Sequence, residues 1–296
     1  MKFVGLALVF VCTFGGLLIA MHFDFTHFTH LLMLILGAMP GEFVIIFGCA
    51  VAAFLTANSM ETIKGTMRYF SALAKPAAYS KADYIELLAF MFTCFKLART
   101  KGWLAMESHI ENPHDSEMFN RFPTVAHDHH VITFFCDYFR IISLGNDNPH
   151  EIGDLMDEEI EGIEHHEHHP GHAVQTMADG IPALGIVAAV LGVIKTMSSI
   201  SEPPEVLGKM IGGALVGTFL GVWLAYGMVG PIAGAMTSKA DTKVLYYKCI
   251  RVGILSFLGG SAPQIAVEFA RKMLPHDVQP TFQELEDHLN ELPPPG

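Results

Sequence analysis

Charge is scarce in this sequence. Only 16% of its 296 residues are Asp, Glu, Lys or Arg, against about 25% in an average soluble domain. The deficit is concentrated in a few long apolar blocks, in a chain that is 51% hydrophobic. Blocks of this kind mark a protein that crosses a membrane several times. Positive charge is the scarcer sign: 18 Lys and Arg stand against 30 Asp and Glu, for a net charge of −12. That balance argues against nucleic acid as a partner. Cysteine is sparse and scattered (Cys12, Cys49, Cys94, Cys136, Cys249), with no C-x-x-C pair. Neither a disulfide framework nor a cysteine metal centre is expected. No internal repeat, P-loop, G-x-G-x-x-G or serine-nucleophile motif is present, so nothing in the sequence supports an enzyme.

The most informative absence is that of acids. Residues 181–194 carry no charge and begin at a proline, Pro182. Residues 210–236 contain no Asp, Glu, Lys, Arg or His, and hold Pro231. A proton relay through lipid ordinarily uses an Asp, Glu or His inside the membrane. Here Glu42 is expected near the outer end of the second span, Asp24 in an outer loop and Asp179 at the inner mouth of the third. If the chain conducts ions, the carboxylate that binds them is expected from another protein.

Four spans are expected, at 3–21, within 31–57 (from about Pro40 onward), 181–197 and 210–236. A span needs roughly 20 apolar residues. The third is short by that measure and is expected to continue as helix into the polar segment before it. The first is read as a span rather than a cleaved signal. Its apolar run exceeds the about 7–15 residues of a signal core, and no A-x-A site follows. Lys and Arg set the orientation. The connections 22–30 and 198–206 have none, the segment 58–178 has nine and the tail beyond 237 has six. Both termini are therefore expected in the cytoplasm.

The large segment reads as helical. KADYIELLAFMFTCFKLARTKG, VITFFCDYFRIIS (131–143) and the acidic 148–169 carry helical patterns, separated by turn signals at 111–117 and 145–149. In the tail, one helix leaves the membrane from Ser238, 261–275 follows, and the final PPPG is expected to fray.

Several features admit two readings. Gly213, Gly217 and Gly221 repeat every four residues, a face that lets helices approach closely in lipid. It suits packing within one chain or around a partner helix. Pro182 and Pro231 each loosen a helix, though prolines are in any case commoner in membrane helices. Thr218 offers a hydroxyl in the fourth span, and an isolated threonine usually bonds back to its own helix. The histidines 165, 166, 168, 169 and 172 invite a metal, but their spacing implies no third ligand, and the helix is not expected to pass Pro170 to unite His168 with His172. A solvated, pH-responsive stretch is the plainer reading. Arg99, Lys101 and Glu107 flank a turn, as a solvated face or as a docking surface for a charged partner.

The stretches ARTKGWLAMESHIENPHDSEMF, LMDEEIE, GIPALGIVAAVLGVI, LVGTFLGVWLAYGMVGPIA and APQIAVEFARKMLP resemble the flagellar stator A subunit, the MotA/PomA family. The resemblance implies an all-α membrane protein with four transmembrane helices. A helical cytoplasmic domain lies between spans 2 and 3, and a cytoplasmic helix closes the chain. The boundaries fall at 1–57, 58–178, 179–237 and 238–296. It implies a multi-pass protein of the bacterial inner membrane, a homo-oligomeric ring, taken as a pentamer around a B dimer and bathed in lipid. The B subunit brings the membrane aspartate and the peptidoglycan anchor. By motif position, Pro182 and Pro231 match the prolines needed for torque, Thr218 the threonine lining the ion path, and Arg99 and Glu107 the charges facing the rotor switch protein. Sodium-driven relatives carry a further threonine, placed here at Ala189, so the conducted ion is expected to be H+, with no cofactor and no metal. The histidine stretch is a departure from the family. The nearest rival is an ExbB/TolQ-type energiser of outer-membrane transport. It has three spans, against which the paired N-terminal spans argue.

Overall fold

The structure, a computed structural model, describes residues 2–75 and 78–293. Helix is the only regular structure among these residues: twelve α-helices, two short 3-10 turns and one π turn. Four helical runs are long and apolar enough to cross a membrane, Phe3–Ala20, Phe25–Ala57, Pro149–Met197 and Pro204–Leu258. The chain divides into two compact units, each assembled from two stretches: 1–76 with 168–238, and 77–167 with 239–296.

The first unit holds α1 (Lys2–Ala20), α2 (Phe25–Ala57), α3 (Met60–Ala72), the later part of α8 (Pro149–Met197), α9 (Pro204–Leu224) and the start of α10 (Gly230–Leu258). Helix α2 starts at Phe25, not near Pro40, because Asp24 caps it. The Asp24 carboxylate accepts the N–H groups of Thr26 and His27 at 3.0 and 3.1 Å. A side-chain acceptor at the N-cap satisfies donors that would otherwise lack partners. The expected connection 22–30 is therefore mostly helix, with His22 and Phe23 turning the chain at positive φ. Helix α1 lies against α9 through Trp223, whose indole N–H donates to Thr13 Oγ1 at 3.0 Å and whose ring meets Phe10 edge-on at 4.5 Å.

Helix α8 runs unbroken for 49 residues through both Pro170 and Pro182. The expectation that it stops at Pro170 is corrected, and His168 and His172 share a face with ring centroids 6.1 Å apart. A proline inside a helix removes one backbone hydrogen bond and crowds the preceding turn. Small neighbours accommodate this one. A methyl group built on Gly65 of α3 would stand 3.0 Å from the Pro170 ring, so glycine there gives the ring room.

The second unit has its own aromatic core. Helix α4 (Lys81–Lys101) is buried along nearly its whole length, from Tyr84 to Ala98. Its Phe90 meets Phe119, Phe122 and Phe135 at edge angles, and its Phe95 stacks on Phe257 at 4.6 Å. Edge-to-face and offset rings add to plain area burial. Helix α7 (His129–Ser143) lays its apolar face on the same core. Beyond Ser238 the chain completes α10, follows it with α11 (Pro263–Lys272) inside 261–275, and adds α12 (Phe282–Glu291), which the sequence pattern did not show. The buried Arg271 ties these together, donating to Glu268 on its own helix and to the Pro280 carbonyl at 2.7 Å. Residues 294–296, where fraying is expected, lie outside the described residues.

Helix α12 is held by a cap and an ion pair. Thr281 and Glu284 form a reciprocal capping box, and Lys81 reaches Glu284 at 2.6 Å. The hydrogen bond from Lys81, followed by those from Thr281, lowers the Glu284 carboxyl from 4.5 to about 2. A carboxyl depressed in the folded state stabilises above its free value. The lock is expected to hold above about pH 5 and to loosen as pH falls toward its folded value. Proteolytic cleavage in α12 should accelerate across that interval, and Glu284→Gln should be cleaved equally fast at pH 7 and pH 4.

Candidate functional site

The α8–α9 hairpin brings most of the residues singled out above onto one seam. Along it, side chains are replaced by backbone. Gly221 of α9 opposes Gly185 of α8, and a methyl group on Gly221 would stand 2.9 Å from Gly185 Cα and 3.2 Å from the Ile181 carbonyl oxygen. One turn along, a methyl on Gly217 would meet the Ala189 nitrogen at 3.1 Å and Ala188 Cβ at 3.2 Å. Further on, a methyl group on Gly192 would stand 2.7 Å from Ala214 Cβ and 2.9 Å from its Cα. The pairs 185/221, 188–189/217 and 192/214 are the antiparallel zipper that small residues four apart permit.

The glycine face is thus used within the chain at Gly217 and Gly221. Its first member does otherwise: a methyl group on Gly213 would face α2, 3.7 Å from Ala38 Cβ. Helix α2 lies along α9 through Leu34, Ala38 and Glu42, four residues apart, which meet Gly212, Gly213 and Gly217 in turn. The zipper places Ala189 on Gly217, the neighbour in sequence of Thr218. Thr218 is exposed, and among the described residues its hydroxyl has no hydrogen-bond partner. The expected bond back to its own helix is not made, although Thr13, Thr56, Thr93 and Thr196 all make one. Thr218 therefore presents a free hydroxyl beside the seam.

The two prolines behave differently. Pro182 is half-buried in α8, one residue after Ile181, whose carbonyl meets Gly221. Pro231 is exposed at the start of α10, immediately after a π turn, Ala225–Val229. There the Gly230 N–H bonds back to the Ala225 carbonyl, five residues away rather than four. Proline has no N–H to return to residue 227, so the helix is widened where Pro231 enters. Local strain of this kind concentrates at sites that move.

In the second unit, Arg99 lies in the last turn of α4 and Glu107 in the first turn of α5 (Leu104–Glu111), with Gly102 at φ +82° turning the chain between them. Both side chains are exposed, and neither has an ion-pair partner among the described residues. The corner itself is rigid. Trp103 sits edge-on to Phe139 and Phe257 at 5.7 and 5.8 Å, and Arg140 holds the end of α5 through Glu111 at 2.9 Å and the Ile110 carbonyl at 3.0 Å. The Glu111 hydrogen bond raises Arg140 further above its already high value, keeping it charged. Leu104, 80% exposed, stands at the tip between Arg99 and Glu107. A corner presenting the exposed cations Arg99 and Lys101, the anion Glu107 and the bare apolar Leu104 is a docking surface by its chemistry.

Sequence reasoning missed the surroundings of Glu42, whose contacts are backbone glycines far away in the chain. A lone acid in an apolar run, together with the glycine stripe, was the available signal. It also passed over Lys195 and Lys209, which flank the α8–α9 connection. Among the described residues, no three His, Cys, Asp or Glu side chains are placed to hold a metal ion.

Comparisons with known proteins converge. Residues 3–102 match the motility protein A N-terminal family, and residues 127–248 match the MotA/TolQ/ExbB proton channel family. Motility protein A of Salmonella typhimurium is 41% identical over 263 residues, 88% of this chain and 89% of that protein. Chemotaxis protein LafT of Vibrio parahaemolyticus is 32% identical over 98% of both chains. Among solved structures, the flagellar MotAB stator complex from Bacillus subtilis aligns with a TM-score of 0.64 at 25% identity, over 97% of each chain. The matched segments include both halves of the glycine seam, and the chain belongs to the motility protein A family of flagellar stator subunits.

Proposed function

We propose that this chain, joined by a B-type subunit, forms an ion channel in the bacterial inner membrane and converts ion flow into torque on the flagellar rotor. The observation that carries this reading is the α8–α9 seam. It is closed by glycine, neither helix brings an acid of its own within 181–194 or 210–224, and it offers Thr218 and a row of exposed apolar side chains (Ile186, Val187, Val190, Leu191, Ile194) to whatever stands beside it. Apolar residues left bare on a spanning helix suit lipid and partner helices. In this reading several copies ring the partner's helices, in a pentamer around a dimer. The partner brings the membrane aspartate and the wall anchor. Both termini face the cytoplasm, where the Arg99–Glu107 corner meets the rotor switch protein. Ala189, where a threonine would suit sodium, favours the proton. Pro182 and Pro231 supply the compliance that lets α8 and α9 change packing when the partner's carboxylate gains or loses charge, since a neutral acid is far cheaper in lipid than an ionised one. The transport-energiser reading is disfavoured by the match of residues 3–102 to the motility protein A N-terminal family.

Complementation tests the proposal. In a strain that builds filaments but lacks its own stators, this chain and a B subunit should restore swimming, and the chain alone should not. Paralysed cells despite normal insertion of both proteins, with a transport defect corrected instead, would sink it.

A further inference from the structure

The sequence suggests that any ion-binding carboxylate comes from outside the chain. The structure shows a carboxylate of this chain's own lodged against its spanning helices. Glu42 lies in the body of α2, about 25 Å along the helix from Phe25 at the usual rise and two residues after Pro40. It is the only charged residue in 31–57. Its side chain enters the notch left where α8 and α9 have no side chains. Oε2 lies 2.7 Å from where a methyl on Gly217 would be, and Oε1 lies 3.7 Å from the corresponding point on Gly192. Oε2 is buried and has no hydrogen-bond partner. Buried polar atoms are nearly always satisfied, and an exception calls for a reason. An acid within a membrane span by default marks an ion route.

The surroundings fit that role. The notch also touches Ala189 and the residue preceding Thr218. The charged group of α8 whose field reaches Glu42 is Lys195. Residues 210–224 of α9 and 3–20 of α1 bring no charged or titratable side chain except Cys12 of α1. Glu42 thus has one cation whose field reaches it, no hydrogen-bond partner for Oε2, and glycines beside it.

We propose that Glu42 is a proton-carrying station of the ion path, contributed by this chain and acting in series with the partner's carboxylate. This rests on the stator reading. The step is proton transfer alone. An O–H bond forms at the unpartnered oxygen as a proton arrives from water. It breaks as the proton passes to the next acceptor, and no electron moves. The two glycines keep the carboxyl reachable, since any side chain at Gly217 would occupy its place.

The test uses the full chain with its B subunit in liposomes containing a pH-sensitive dye, under an imposed potential. Glu42→Gln keeps the shape and removes the exchangeable proton, and should slow proton entry by about tenfold or more. Glu42→Asp keeps the acid and should recover most of the flux, which a purely structural role for the side chain would not produce. A Gln complex that assembles and conducts at the wild-type rate overturns the proposal. Should the Gln variant fail to assemble, the wild-type complex is treated with a hydrophobic carbodiimide and mapped by mass spectrometry. Modification at Glu42 that slows flux supports the station, and an unmodified Glu42 overturns it. A wild-type complex that conducts nothing would instead sink the stator reading, and this proposal with it.

Discussion

A single methyl group added at Gly221 should paralyse the cell. The methyl of Gly221→Ala would stand 2.9 Å from Gly185 Cα and 3.2 Å from the Ile181 carbonyl oxygen. Both obstacles are backbone, so no side chain can rotate away. Helices α8 and α9 must separate, and the loss propagates to the Ala189–Gly217 contact one turn along. Overpacking of this kind costs about 1–3 kcal/mol in a well-packed interior. A loss of that size in the first unit is expected to lower the melting temperature of the purified complex by several degrees. The effect on swimming should be larger than the effect on stability, because the same contact positions Thr218. Gly234→Ala is the control. It lies further along the same helical run, where a methyl meets nothing within 4 Å, and should swim normally. Equal behaviour of the two variants would contradict the seam as described.

Pro231→Ala should stop rotation while making the helix more stable. Pro231 follows the π turn Ala225–Val229 and has no N–H to give residue 227. Restoring that N–H lets the run from α9 into α10 close as ordinary α-helix. Proline in a helix interior is disfavoured by about 3 kcal/mol, which bounds the possible gain in stability. If the widened turn is where the helix yields during each cycle, stiffening it removes the motion. Rotation of tethered cells should fall by about tenfold or more, while filaments and complex assembly stay intact; opposite signs for stability and activity mark strain held for function. Normal rotation in Pro231→Ala would show that the kink is incidental.

The fold was largely legible in the chain, for a simple reason. Long apolar blocks and basic connections follow from the lipid itself, so the runs read at 3–21 and 210–236 fall on helices of the structure, although the second begins earlier, at Pro204, and passes through a π turn into α10. Helix α7 showed its periodicity because one face covers an aromatic core, whereas α4 was readable as an apolar helix without breakers because it is buried on nearly all sides. The misreadings have local causes. Pro170 reads as a stop, yet Gly65 gives its ring room and α8 continues. The start of α2 lay hidden in HFDFTHFTH, where Asp24 is a cap rather than a loop residue. Helices α3 and α12 were missed because both are short and polar, and α12 is held by its cap and by Lys81 more than by its pattern. At the site, Pro182, Pro231, Thr218, Arg99 and Glu107 were visible as residue types in motifs. Glu42 was visible as an acid, but its surroundings were not, because they are made of glycines 150 and 175 residues away, and no local pattern records that approach.

The most direct test of the account is tethered-cell rotation in a strain whose only stator A subunit is this chain, first with sodium absent and then with the proton gradient collapsed by an uncoupler. The account predicts steady rotation without sodium and a stop within seconds of collapse. Rotation that requires sodium would contradict the reading of Ala189 and the ion assigned to the path. Absence of rotation with both subunits inserted would contradict the central claim that this chain generates torque from ion flow.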